Sequence, residues 1–189
     1  MDLNRLTQKS QQALSAAQDL ATRAGHTEID REHLLLALLE QPDGLVPRLL
    51  TGMGVDVDAI RGDVEVELER KPRTTQPGAR PGQVTVTQAL GQILEAAQRQ
   101  AKRLSDEYVS VEHLLVSLAD ESRRSPAGRL LDRYGVTRDR FLAELTNVRG
   151  NQQVTTTTPE GTYEALTKYG QDLVAAARSG RLATPAGSS

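Results

Sequence analysis

Displaced by 80 residues, the chain falls into register with itself. Leu14, Ala16, Ala17, Gln18, Ala21 and Arg23 meet Leu94, Ala96, Ala97, Gln98, Ala101 and Arg103. Glu32-His33-Leu34-Leu35 meets Glu112-His113-Leu114-Leu115, and Leu38 meets Leu118. Eleven of the 27 positions from 13 to 39 are identical, without a gap. Thr7-Gln8 meets Thr87-Gln88. After one inserted residue, Arg48-Leu49-Leu50 and Gly54-Val55 meet Arg129-Leu130-Leu131 and Gly135-Val136. Such self-similarity restricts the chain to two copies of one supersecondary unit.

Each copy reads as four helices. Leu6, Ser10, Ala13, Leu14, Ala17, Ala21 and Ala24 keep the three-or-four spacing of one helical face, as do Leu90, Ile93, Leu94, Ala97, Ala101 and Leu104. Thr7 and Thr87 are N-cap candidates, as are Asp30 and Ser110 ahead of the second helices, because a side-chain oxygen there accepts from an orphan backbone N–H. The second helices bury Leu34, Leu35 and Leu38, and Leu114, Leu115 and Leu118. Third helices run over 45–50 and 126–134, the latter opened by Ser125-Pro126. Fourth helices run over 57–70 and 138–148. Val84-Thr85-Val86-Thr87 reads as the approach to a helix rather than as a strand. The expectation is an all-α, eight-helix domain over 1–149, with repeats at about 6–71 and 86–149 joined by a Pro/Gly-rich connection.

Beyond this the character changes. Residues 150–158 are polar and of low complexity, with nothing to bury, and read as a flexible linker. A helical segment over 159–182 follows, then a small-residue tail over 183–189.

Composition narrows the function. Aromatics are 3% of the chain and the net charge is −2, so stacking platforms and a basic stripe for nucleic acid are both missing. There is no cysteine, which excludes disulfides and thiol chemistry and fits a cytoplasmic protein. No stretch reaches the length of a membrane span, and no signal segment opens the chain. No Gly-x4-Gly-Lys-Ser/Thr phosphate loop occurs. His26 and His33 are seven apart, roughly 10 Å if one helix held both, too far to share an ion. The expectation is a non-enzyme with no cofactor and no metal.

The opening Leu6-Thr7-Gln8-Lys9, the paired Glu-His-Leu-Leu elements and the two Leu-Leu-x-x-x-Gly-Val turns resemble the Clp N-terminal repeat domain, the double four-helix module of Clp-type AAA+ unfoldases. Thr162-Tyr163-Glu164-Ala165-Leu166-Thr167-Lys168-Tyr169-Gly170 resembles the start of a first ATPase module, in a form closer to the ClpB branch than to the ClpC branch. The family pattern would continue after Leu182 into an ATPase. Here Ala183-Thr184-Pro185-Ala186-Gly187-Ser188-Ser189 follows, so the chain is expected to keep the receptor and not the engine.

The resemblance implies a domain that binds unfolded or aggregated polypeptides. It implies that the full-length relative is a homohexamer using ATP and Mg and cooperating with the DnaK chaperone system, while this chain alone is expected to be a monomer. It also implies substrate-handling roles for Thr7, Asp106 and Glu112, and a hydrophobic groove touching Leu90 and Leu94. Glu32 and Glu112 lie in the first turns of equivalent helices, where a carboxylate complements the helix dipole. Alternatively, as partly exposed acids at the repeat seam, they would accept peptide N–H groups or cations. His113 would stand at the edge of that site. A ClpC-like role, in which Glu32 and Glu112 hold adaptor or phosphoarginine cations, is the alternative.

Overall fold

The computed structural model describes residues 2–73, 84–150 and 152–160. Described in full among these residues are eight α-helices: α1 (Gln8–Arg23), α2 (Arg31–Glu40), α3 (Leu45–Gly52), α4 (Val57–Glu69), α5 (Gln88–Arg103), α6 (Val111–Asp120), α7 (Pro126–Arg133) and α8 (Arg138–Arg149). The helical segment expected over 159–182 and the tail lie, beyond residue 160, outside the described residues.

Caps fix the starts of these helices. Thr7 Oγ1 accepts from Ser10 N at 3.2 Å and Thr87 Oγ1 from Leu90 N at 3.1 Å. Ser125 Oγ accepts from Gly128 N at 3.0 Å, with Pro126 in the first helical position. α3 and α7 end on Gly54 and Gly135, whose φ values of +80° and +74° favour glycine.

One apolar core runs through both repeats. α2 and α6 lie at its centre, and from Glu32 to Leu39 and from Val111 to Ala119 every residue is buried. Helices covered on all sides have no solvent face to reserve for polar groups. α1 packs on α2 and α5 on α6, and these outer helices bury one stripe each. Leu90 is fully buried in this core. It is therefore a core residue and does not line a surface groove; Leu94, half-buried, packs on the core from outside.

Two findings depart from the sequence reading. First, there is a small sheet: β1 (Glu28–Ile29) pairs in parallel with β2 (Thr85–Val86). Leu6 and Val109 form the matching bridge on the other side. Positions 85–86 correspond to 5–6 and 28–29 to 108–109 under the 80-residue displacement. Each repeat's leading segment thus pairs with the other repeat, and Thr87 N donates to Ile29 O just as Thr7 N donates to Val109 O. Second, the run read as a linker over 150–158 is held at Val154, and the acid that follows it, Glu160, is held as well. Val154 is 0% exposed and Glu160 1%. A single valine in a polar run does find apolar surface to cover.

Candidate functional site

Thr7, Asp106, Glu112 and His113 converge where the start of α1 meets the start of α6. Asp106 sits in the turn after α5. It receives His113 Nε2 at 2.7 Å, the Arg149 guanidinium, and the Val154 N–H at 2.8 Å. His113 Nδ1 accepts the Ser110 N–H at 2.9 Å, so the Nε2 carries the proton given to Asp106. Burial opposes the Asp106 charge. The bonds from His113, Arg149 and the Val154 amide outweigh it and hold the carboxyl below its ordinary range.

Glu112 is 1% exposed, and neither of its oxygens has a hydrogen-bond partner; Arg149 Nη1 lies 3.7 Å from Oε1. Glu32 is equally buried, with Lys71 Nζ at 3.5 Å. The expected partly exposed carboxylates at the repeat seam are therefore buried ones. Each faces a cation contributed from the end of its own repeat's fourth helix. Burial pushes the Glu32 carboxyl up, with Lys71 opposing. Two external cations, as in the adaptor reading, would have to displace Lys71 and Arg149.

The histidines also depart from expectation. His26 follows α1 and His33 lies on α2, so the separation along one helix does not apply: His26 Nδ1 and His33 Nε2 are 2.9 Å apart. His33 Nδ1 accepts the Asp30 N–H at 2.9 Å, so its Nε2 donates to His26. Burial, then His26 and Lys71, lower the His33 pKa to about 4. Among the described residues, no group of three or more His, Cys, Asp or Glu is placed to hold a metal ion.

Sequence reasoning missed Glu160. Its Oε1 accepts from Thr7 Oγ1 at 2.6 Å and from Val111 N at 3.3 Å. Burial, then the Glu112 carboxylate, push its pKa up to about 7. Residues 152–160 lie along the cluster. Arg149 Nε donates to Gln152 O, Glu107 N to Val154 O at 2.8 Å, and Gln8 N to Thr157 O at 2.8 Å. A hollow of about 220 Å³ beside Asp106 is lined by Arg5, Gln98 and Lys102 among others. A larger one of about 560 Å³ lies between the repeats at α3, α4 and α8, away from α5 and lined in part by Leu45, Val57 and Val148. Among the described residues, no helix is long and apolar enough to cross a membrane.

A family model described as the Clp repeat (R) N-terminal domain matches residues 5–134. The chaperone protein ClpB of Nitratidesulfovibrio vulgaris is 48% identical over 182 residues, which cover 96% of this chain and 21% of that protein. The chain thus spans about a fifth of that curated relative. The Hsp104 N-terminal domain from Candida albicans shares the fold at a TM-score of 0.69 and 19% identity, covering 82% of this chain and 98% of that one. The N-terminal domain of the ClpV1 ATPase from E. coli aligns at a TM-score of 0.63 and 27% identity, covering 75% and 83%.

Proposed function

The chain belongs to the Clp repeat N-terminal domain family, and from that premise we propose that it is a recruiting domain of a ClpB-like disaggregase. It binds exposed apolar segments of misfolded or aggregated polypeptide and delivers them to an attached hexameric, ATP-driven ring. The ring, its Mg-bound nucleotide and its cooperation with a DnaK system belong to this reading of the whole protein. The observation that carries it is the convergence of Thr7, Asp106 and Glu112, from distant parts of the sequence, at one junction between the repeats. A main-chain donor and a side-chain acceptor stand there: the Glu107 N–H and the Asp106 carboxylate bond the carbonyl and the N–H of one residue, Val154. Recognition through main-chain bonds is indifferent to sequence, which suits clients that share only their unfolded state.

The test uses fluorescently labelled α-lactalbumin, reduced and carboxymethylated so that it stays unfolded, against the native form. The chain is expected to bind the unfolded form saturably and not the native one. Amide shifts are expected to cluster at Thr7, Glu107 and Glu112. Absence of binding by a folded chain, or shifts confined to the α3–α8 hollow, would remove this reading.

A further inference from the structure

The two repeats present the same seat at exchanged positions, and they fill it differently. In the first, Asp30 Oδ1 accepts from Arg31 N at 2.7 Å and from Thr87 Oγ1 at 3.1 Å. That carboxylate is built into the helix as its N-cap. In the second, the residue matching Asp30 is Ser110, which has no carboxylate. Glu160, 50 residues further along, takes the place. Its Oε1 accepts from Val111 N, the match of Arg31 N, and from Thr7 Oγ1, the match of Thr87 Oγ1. Two helices of 16 and 10 residues direct their N-terminal ends at this point, so their N–H and hydroxyl donors meet the carboxyl oxygen.

We infer that the junction of α1 and α6 is a peptide site that accepts a carboxyl group, filled in cis by residues 152–160, and that an incoming extended segment occupies it only by displacing this strap. The strap shows the form of the ligand. Val154 is buried between a donated and an accepted main-chain bond, Thr157 gives its carbonyl to Gln8 N, and an acidic side chain six residues after the valine ends in the seat. The ligand class is an extended peptide with an aliphatic residue followed by a carboxylate. Glu160 is also the occupant easiest to displace, because Glu112 lies buried beside it with both oxygens free of hydrogen bonds. In the first seat Lys71 lies 3.4 Å from Asp30 and 3.5 Å from Glu32, so one cation serves both acids. In the second, Arg149 is shared between Glu112 and Asp106.

Only the identity of the incoming chain rests on the recruiting function; the cis occupancy does not. The experiment uses the whole chain, its V154D variant and its S110D variant. The probe is a blocked nonapeptide with the sequence of residues 152–160, followed through the Glu107 and Gln8 amide resonances. V154D is expected to shift both resonances toward exposed values and to bind the added peptide at least tenfold more tightly than the unaltered chain does. A peptide ending in Gln in place of Glu is expected to keep its affinity between pH 5.5 and 8, over which the Glu peptide loses affinity. S110D supplies the matching carboxylate from the helix itself, so it is expected to expel Glu160 and to refuse the peptide's acid; it keeps the test alive if V154D fails to fold. Equal peptide affinity for the unaltered chain and V154D, or Thr7 and Val111 resonances unmoved by S110D, would overturn the inference. Unfolded α-lactalbumin is then added as competitor. If it displaces the peptide, both readings stand. If the peptide binds V154D and unfolded α-lactalbumin binds neither chain, the cis-filled site stands and the recruiting function falls. If it binds both chains equally without displacing the peptide, the recruiting function stands and this site is not where it acts.

Discussion

The two repeats bury the same Glu-His pair and neutralise it by opposite means. In the first, His33 meets a second neutral ring, His26, and the acids Asp30 and Glu32 share a half-buried lysine. In the second, the position of His26 holds Asp106, and one buried arginine, Arg149, serves both that acid and Glu112. The first repeat draws the partners of its acids from within the two repeats, Lys71 and Thr87. The second depends on residues beyond its fourth helix, Val154 and Glu160, to complete its bonding. Duplication thus preserved the scaffold of caps and central helices while leaving one copy to be completed by residues 152–160.

The sharpest way to break this comparison is to remove each cation. Arg149→Ala leaves Asp106 and Glu112 buried without a charge partner and is expected to cost about 3–5 kcal/mol in urea unfolding. Lys71→Ala, at a partly exposed position, is expected to cost about 1 kcal/mol or less. Equal losses would mean that the two seats are electrostatically alike.

Acid should separate the repeats next. The His33 pKa is lowered to about 4 in the folded chain, below its ordinary 6.5. The unfolded chain therefore binds more protons between these values, and stability present above pH 6.5 is lost as pH falls toward 4. Glu160 has the opposite sign. Its folded pKa is raised to about 7, so docking of residues 152–160 is strongest below its ordinary value of 4.5 and weakens as pH rises through 7. The groups facing it are Glu112 on α6 and, beyond that carboxylate, Arg149 on α8, with Thr7 at the start of α1. Lowering pH from 8 to 5.5 is expected to reduce the melting temperature while moving the Glu107 and Gln8 amides further toward their docked positions. Glu160→Gln is expected to flatten the second trend and leave the first.

The smallest effects belong to the caps. Thr87→Ala and Thr7→Ala each remove an N-cap bond and are expected to cost about 1 kcal/mol. Only Thr7→Ala is expected to loosen the Glu160 end as well, seen as a shift of Val111, with Thr7→Ser restoring it.

Much of this was legible in the sequence. The repeat displacement, the capping residues and the leucine spacing lead to eight helices, and the bounds read for the third and fourth of each repeat agree within about two residues, because those signals are local. The β1–β2 pair was not legible, since two-residue strands carry no period. Burial of Glu32 and Glu112 was hidden because a first-turn acid looks the same in sequence whether a cation covers it or water does. Val154 was missed because one apolar residue among threonines has no patterned neighbour. Yet the alignment of the repeats did contain a pointer: Asp30 against Ser110 marks a carboxylate present in one copy and absent in the other. His26 against Asp106 likewise marks the two partners of the buried histidines.

Docking of residues 152–160 also sets a length. Nine residues reach at most about 30 Å when extended, and while they lie along α1 and α6 that stretch adds nothing to the distance the domain can roam from whatever follows it. In the proposed whole protein, a guest that took their place would lengthen the leash by up to this span. Occupancy and range of travel are then two faces of a single equilibrium, and by reciprocity a pull on the leash raises the domain's appetite for its guest.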